Sequence, residues 1–185
     1  MTGIRVRPLV EDDWDEVVAL EERAYAASGL SEGREALRSR HRASPSTCFV
    51  LECAGRIGGY LLALPYPLFR YPDLRLAEVD AVRESGPESN LHIHDVVIAE
   101  RVRGRGLVHQ MLRHLEKSGR AGRYQTFSLV AVRGSQVLWA RLGYRVRPEI
   151  GLPASYGVEA VYMTKPLGPV VTDPAFASSS AAEAG

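Results

Sequence analysis

The segment Leu91–Leu115, LHIHDVVIAERVRGRGLVHQMLRHL, constrains the fold more than any other part of the chain. It opens with Leu91–Ala99, whose apolar residues and β-branched side chains are typical of a strand. A turn with two glycines follows, and Leu107–Ser118 then has the apolar spacing of an amphipathic helix. A strand that leads through such a turn into a helix brings free backbone N–H groups and the positive end of the helix dipole together. The segment therefore predicts a site for a phosphate or diphosphate.

The residues of the turn fit an anion site. Gly104 and Gly106 let the backbone approach a ligand because no Cβ stands in the way. Arg103 and Arg105 place cations beside the anion. Two common phosphate motifs are excluded, since no Gly-Lys-Ser/Thr follows as in a P-loop and the third glycine of the dinucleotide fingerprint is missing. An ordinary glycine turn with solvated arginines stays open as the alternative.

The rest of the chain predicts a sheet with helices on its faces. Apolar alternation and β-propensity predict strands at 4–8, 47–53, 57–64, 91–99, 126–132, 144–146 and 158–164. Helical spacing predicts helices at 11–24, 33–41, 107–118 and 135–142. Strands that alternate with helices, downstream of a hairpin, indicate the α/β class, with an α+β mixed sheet.

Length and composition indicate one domain with an extension. The chain has 185 residues, of which 45% are hydrophobic, enough for a single core that we place at residues 1–167. Residues 168–185 are rich in Pro, Ala and Ser and predict a disordered tail. The connection at 65–90 is proline-rich and lacks periodicity, which is typical of a lid or a binding loop.

Charge and cysteine content narrow the classes of function. The net charge is +1, from 23 basic and 22 acidic residues, so no strong field recruits nucleic acid or membrane. No apolar run approaches the ~20 residues that span a bilayer. Cys48 and Cys53 follow no secretory signal, and we expect them to be reduced thiols. These features predict a soluble, cytoplasmic protein.

The turn and its flanks resemble the acyl-CoA signature of the GNAT superfamily of N-acyltransferases, Arg/Gln-x-x-Gly-x-Gly/Ala. When this signature is aligned with Arg103–Val108, the first Arg and the central Gly match. Val108 stands where the family prefers Gly or Ala. Two later segments agree with the resemblance. Val137–Tyr144 resembles the family's late helix with its glycine–aromatic ending, and Ala160–Leu167 its closing strand.

The resemblance implies a GNAT-like fold with a central, mostly antiparallel sheet flanked by helices. It implies acetyl-CoA or a related acyl-CoA as co-substrate, and no metal. It also implies that the strand backbone pairs with the pantetheine arm, with the strands splayed near Val97, while the turn grips the diphosphate. The implied donor-binding residues are Val96, Val97, Ile98, Arg103, Gly104, Arg105, Gly106, Leu107, Val108 and His109.

Two histidines on the predicted strand are candidates for proton transfer. Strict alternation would put His92 and His94 on one face and Asp95 on the other. An amine must be neutral to attack a thioester, and a histidine is suited to take its proton near neutral pH. The His-x-His arrangement is similar to that of the arylalkylamine N-acetyltransferases, which implies catalytic roles for both histidines. Metal binding, and histidines with no catalytic role, stay open as alternatives.

The acceptor is expected to be the primary amine of a small molecule. Loop 65–90, with Tyr66, Phe69 and Tyr71, and the helices of residues 14–41 are predicted to wall its pocket, which favours a small apolar or aromatic amine. Trp139 stands where many GNAT members have a Tyr that reprotonates the leaving thiolate. The sequence does not choose among Tyr66, Tyr71 and Tyr156 as a substitute.

Two departures from the family pattern keep rival functions open. Because Val108 differs from the signature, another acyl donor, such as an aminoacyl-tRNA or a carrier-bound acyl group, stays open as an alternative. Val108 and Trp139 together leave room for a non-catalytic regulator that binds acyl-CoA. A homodimer also stays open.

Overall fold

The computed structural model describes residues 3–74 and 89–168. Within them the chain forms seven strands and four helices, in the following order: β1 (Ile4–Pro8), α1 (Trp14–Tyr25), α2 (Arg34–Ala43), β2 (Phe49–Cys53), β3 (Arg56–Pro65), β4 (Asn90–Ile98), α3 (Leu107–Ala121), β5 (Thr126–Ala131), α4 (Gln136–Arg141), β6 (Arg145–Val146) and β7 (Val161–Pro166). The predicted tail at 168–185 lies outside the described residues except for Gly168, and so does most of the predicted loop at 65–90.

The seven strands form one sheet in the order β1-β2-β3-β4-β5-β7-β6. All neighbouring pairs are antiparallel except β4 and β5, which run parallel. The predicted class, a mixed and mostly antiparallel sheet flanked by helices, is therefore confirmed. Across residues 3–74 and 89–168, no helix combines the length and the apolar character needed to cross a membrane.

Helices pack on both faces of the central strands. The Phe49 ring of β2 lies 4.5 Å, centroid to centroid, from the His114 ring of α3, so Phe49 and its cross-strand partner Leu61 face α3. Tyr60 precedes Leu61 and points to the other face. There its hydroxyl shares a carboxylate with the Tyr25 hydroxyl of α1. This arrangement buries the interior of β3 on both faces, which explains its nearly continuous apolar sequence.

Gly59 sets the close approach of the two central strands. A Cβ built on Gly59 would lie 2.7 Å from the backbone oxygen of Val97 and 2.7 Å from Cδ1 of Ile98. A backbone oxygen cannot move aside without distorting the ladder, so only glycine fits at this position of β3.

Strand β4 contains a β-bulge at His94. Asp95 pairs with Leu62 and Ile93 with Ala63, so His94 is an extra residue without a partner on β3. Because cross-strand partners point to the same face, Asp95 lies on the face of His92, which pairs with Leu64. The prediction that Asp95 points away from the histidines is therefore wrong, and the bulge is the reason.

The parallel strands β4 and β5 separate beyond the bulge. Their ladder joins Asn90–Ile93 to Thr126–Leu129, although β4 runs on to Ile98 and β5 to Ala131. The strands therefore part after Ile93, earlier than the predicted splay near Val97. On its β5 side, the backbone of residues 94–98 has no ladder partner among the described residues.

We predict that Gly59→Ala destabilises the protein by about 1–3 kcal/mol, because the new methyl group overpacks the β3–β4 contact. The matched control is Gly151→Ala, since a Cβ there meets nothing within 4 Å. Its effect should stay within about 0.5 kcal/mol. Urea unfolding followed by circular dichroism measures both, and equal unfolding free energies for the two variants would contradict the close approach.

Candidate active site

A cavity of about 310 Å³ opens where β4 and β5 part. Its floor is the bulged part of β4, and its walls come from the ends of β5 and the helices around them. The wall residues include Tyr25, Leu30, Glu32, Val108, Leu129, Val130, Leu138, Trp139 and Tyr156. The cavity thus extends from the start of α3 to the segment between α1 and α2.

The glycine turn lies at the α3 end of this cavity. Gly104 has φ +78° and Gly106 has φ +69°, values that L side chains rarely adopt. Gly106 is the N-cap of α3, and its carbonyl accepts the first helical hydrogen bond, from the N–H of Gln110 at 3.3 Å. The N–H groups of the first helical turn before Gln110 have no carbonyl within the helix to bind. The turn is exposed, so these donors are accessible to an anion.

The two glycines with positive φ fit another alignment of the chain with the GNAT signature. Arg101–Gly106, with the sequence Arg-Val-Arg-Gly-Arg-Gly, fills the Arg position and both glycine positions. Arg103–Val108, the register expected above, leaves Val108 as a mismatch. In the new register Val108 belongs to the first turn of α3, and its difference from Gly or Ala is no longer a departure.

Two arginines brace the turn against the end of the sheet. Arg101 donates a hydrogen bond to the backbone oxygen of Ile57 at 2.6 Å. Arg103 Nε donates to the backbone oxygen of Ile98 at 3.0 Å. Arg103 also lies 3.5 Å from the Glu100 carboxylate, and both Arg103 and Arg105 are exposed beside the turn, where an anion can reach them.

His92 lies beneath the cavity and does not line it. The residue is 1% exposed, and its Nδ1 is 2.9 Å from Ser128 Oγ. Asn90 Nδ2 donates to the same hydroxyl at 2.8 Å, so His92 belongs to a buried polar network between β4 and β5. Burial, with the nearby charges of His94 and Arg40, lowers the pKa of His92 well below its usual value. This histidine is neutral at physiological pH.

His94 lines the cavity and belongs to a buried cluster with Glu32 and Arg40. Its Nε2 is 2.6 Å from Glu32 Oε1, and the two side chains are 1% and 7% exposed. Arg40, completely buried in α2, donates to Glu32 Oε2 at 3.1 Å and to the Asp73 oxygen at 2.9 Å. The Arg40 Nε contact with His94 Nε2 is longer, 3.4 Å, so the carboxylate is the closer partner of that nitrogen.

Glu32 remains ionised in this cluster. Burial alone would raise its pKa, but the charges and hydrogen bonds of His94 and Arg40 outweigh burial and hold the pKa below its usual value. An ionised carboxylate only accepts hydrogen bonds. The proton between the two groups is therefore carried by Nε2 of His94.

Asp95 also lines the cavity and is held by two tyrosines. The Tyr25 hydroxyl donates to Oδ1 at 2.6 Å, and the Tyr60 hydroxyl donates to Oδ2. Burial raises the pKa of Asp95 to about 6, although both hydroxyls lower it. The bulge residue His94 and its neighbour Asp95 are thus each anchored to the α1–α2 side of the sheet.

Sequence reasoning missed Glu32 and Arg40, although α2 carries a signal for one of them. Arg40 follows the buried Leu37 by three residues and so lies on the same face of the helix. A charged residue on an apolar face is rarely buried without a partner. Nothing local marks Glu32, because it lies between the helices and meets His94 only through the fold.

The aromatic residues predicted for the acceptor pocket, Tyr66, Phe69 and Tyr71, do not line this cavity. The Phe69 N–H donates to the Tyr162 hydroxyl, and the Tyr71 hydroxyl donates to the Gly151 oxygen. Tyr156 lines the cavity instead, with its hydroxyl donating to the Pro72 oxygen. Trp139 also lines the cavity, edge-on to the Tyr144 ring.

Comparisons with known proteins agree with this fold. Residues 14–144 match the family model described as the acetyltransferase (GNAT) family. Ard1 from Thermoplasma volcanium is similar in structure, with a TM-score of 0.69 and 13% identity over 90% of this chain and 99% of that one. An N-acetyltransferase from Staphylococcus aureus Mu50 has a TM-score of 0.65 and 15% identity over 90% and 100%.

A third similar structure is N-acetylglutamate synthase from Neisseria gonorrhoeae, complexed with coenzyme A and N-acetylglutamate. Its TM-score is 0.67 and its identity 16%, over 91% of this chain and 36% of that one. No curated protein sequence matches this chain. The narrower resemblance to the arylalkylamine N-acetyltransferases stays a prediction.

The family match includes three features that meet at the cavity, namely the bulged strand β4, the glycine turn and helix α4. Structural likeness at 13–16% identity adds support for the fold alone. The chain belongs to the acetyltransferase (GNAT) family and is an acyl-CoA-dependent N-acyltransferase.

Proposed function

We propose that this enzyme transfers an acetyl or other short acyl group from acyl-CoA to the primary amine of a small molecule. One observation carries the proposal. The cavity between β4 and β5 has backbone groups without a partner in the ladder or the helix at two places, on the β5 side of residues 94–98 of β4 and at the start of α3. A ligand with an amide-containing arm and a diphosphate matches both sets of donors.

The donor is proposed to lie along β4 with its diphosphate at the turn. Residues Val96–Ile98 offer the ladder positions that β5 leaves open. The amides of Gly104–His109 and the α3 dipole hold the diphosphate, with Arg103 and Arg105 beside it. An amide of the bulged part of β4 stabilises the negative charge that develops on the thioester oxygen. Since Val108 is no longer a departure from the signature, it no longer motivates another donor.

The acceptor is proposed to enter from the α1–α2 side. Leu30, Leu74 and Tyr156 supply apolar surface there, and Glu32 is one of two carboxylates that line the cavity, the other being Asp95. Arg40 and His94 already compensate the charge of Glu32, so this end of the cavity has little negative charge left to attract a polycation. The surface favours a small amine with an apolar body.

His94 is the proposed base of the reaction. With Nε2 donating to Glu32, its other nitrogen, Nδ1, accepts the proton that the amine loses. Acyl-CoA supplies the thioester, whose C–S bond breaks as the C–N bond forms, and the departing thiolate takes up one proton. His92, also proposed from the sequence, is buried on Ser128, and its support of β4 fits its position better than proton transfer does.

We predict that Gly106→Ala weakens CoA binding at least tenfold, because its Cβ projects into the space in which the diphosphate binds. Gly29→Ala is the matched control. Both glycines have φ +69°, and a Cβ on either meets nothing within 4 Å, so both variants carry the same backbone strain of about 1–2 kcal/mol. Isothermal titration calorimetry with CoA measures the difference. Equal dissociation constants in the two variants would place the diphosphate elsewhere.

We predict that His94→Gln lowers kcat about a hundredfold or more and removes the fall of activity at acidic pH, because the proton acceptor is gone. His92→Gln should keep that acidic fall, since a buried polar side chain still reaches Ser128. Both variants are tested by initial rates of thiol release from acetyl-CoA, with a panel of small amines, from about pH 6 to about pH 9. This range is chosen because histidine titrates near neutral pH. An unchanged pH–rate profile in His94→Gln would refute its role as base.

A further inference from the structure

We infer that Glu32 is the positioning residue of His94, holding a proton on Nε2 and so making Nδ1 the nitrogen that faces the chemistry. This inference rests on the proposed function, in which His94 is the base. The contact that carries it is the 2.6 Å approach of Glu32 Oε1 to His94 Nε2, between two side chains that are almost completely buried.

The carboxylate of Glu32 is itself fixed in place. Arg40 donates to its second oxygen, Oε2, at 3.1 Å. The backbone N–H of Glu32 donates to Glu21 Oε1 at 2.7 Å, and Ser31 Oγ donates to Glu21 Oε2 at 2.7 Å. Glu21 is 1% exposed on α1, so the segment before α2 is tied to the protein interior. A carboxylate held in this way restricts the orientation of the ring it binds.

The charge of Glu32 also selects the tautomer of His94. A neutral imidazole has one N–H, and an ionised carboxylate at 2.6 Å selects the tautomer with that proton on Nε2. Nδ1 then has a free lone pair, and it forms no hydrogen bond with the residues that the structure describes. When Nδ1 takes a proton, the carboxylate stabilises the resulting imidazolium, as in other carboxylate–histidine pairs.

Several other charged or titratable groups surround the ring. They are His92 and Asp95 on β4, Tyr25 on α1, Arg40 on α2, and Tyr156 and Arg133 at the cavity wall. Arg40 is the nearest full positive charge and opposes the imidazolium. Without the charge of Glu32, the positive charge of Arg40 is no longer offset beside the ring. His94 in such a variant should therefore lose its proton at a lower pH.

The test compares Glu32→Gln with Glu21→Gln. The Glu32→Gln substitution keeps the size of the side chain and removes its charge, whereas Glu21→Gln disturbs the same segment without touching His94. Protein with nitrogen-15-labelled histidine is titrated by NMR, and the resonance absent from His94→Gln identifies His94. Rates of acyl transfer are measured over the same pH range, and CoA binding and circular dichroism check that each variant is folded.

In Glu32→Gln, we expect the His94 transition and the acidic fall of kcat/KM to move together to lower pH, by roughly one to three pH units. The affinity for CoA should not change, and Glu21→Gln should leave both midpoints in place. A uniform loss of activity with an unmoved His94 transition would overturn the inference, because it would show that Glu32 acts only on the structure.

The same experiment separates this inference from the proposed function. If the His94 transition moves but wild-type protein transfers no acyl group to any amine, the Glu32–His94 coupling is supported and the proposed function fails. If wild-type protein is active and Glu32→Gln has the wild-type pH–rate profile, the inference fails and the proposed function stands.

Discussion

The end of the parallel ladder between β4 and β5 is the constraint on which the site depends. Up to Ile93 the strands satisfy each other's backbone groups, and beyond it they part. A gap of this kind survives in a folded protein only if other contacts hold its edges, because unpaired backbone groups are costly to bury. The bulge at His94 supplies such contacts. It directs His94 to Glu32 and Asp95 to Tyr25 and Tyr60, so two adjacent side chains fix the open edge of β4.

The second set of free donors, at the start of α3, arises from the geometry of the helix rather than from parting strands. The first turn of any α-helix leaves N–H groups without intrahelical partners. Here Gly104 and Gly106 bring the chain from β4 into α3 through two residues with positive φ, and Val108 of the first helical turn lines the same cavity as Val96 of β4. Backbone donors from two elements therefore meet at one cavity, and side chains supply orientation and proton transfer rather than the main binding energy.

The local sequence pattern was sufficient to predict β4, the glycine turn and α3, because each of these elements depends on residues that are neighbours in sequence. The glycine positions also proved informative, and their φ values favoured the register Arg101–Gly106 over Arg103–Val108. Alternation failed at His94, because a bulge breaks the period of two and no residue type at that position announces it. Asp95 was assigned to the wrong face for this reason.

The buried cluster was beyond sequence reasoning for a different reason. Glu32, Arg40 and His94 lie on three separate elements and meet only through packing. Besides His94, only Arg40 carries a signal in the sequence, because it is a charged residue on the apolar face of α2. Among the aromatic residues, Phe69 and Tyr71 form hydrogen bonds outside the cavity, whereas Tyr156 lines it, and local sequence does not distinguish these positions.

Residue-resolved amide hydrogen exchange with and without acetyl-CoA tests the central claim most directly. Occupation of both sets of free donors predicts slower exchange at the amides of Val96, Ile98 and Gly104–Val108, with little change on β1 and β2. Binding of acetyl-CoA that left those amides exchanging at their free rates would contradict the account.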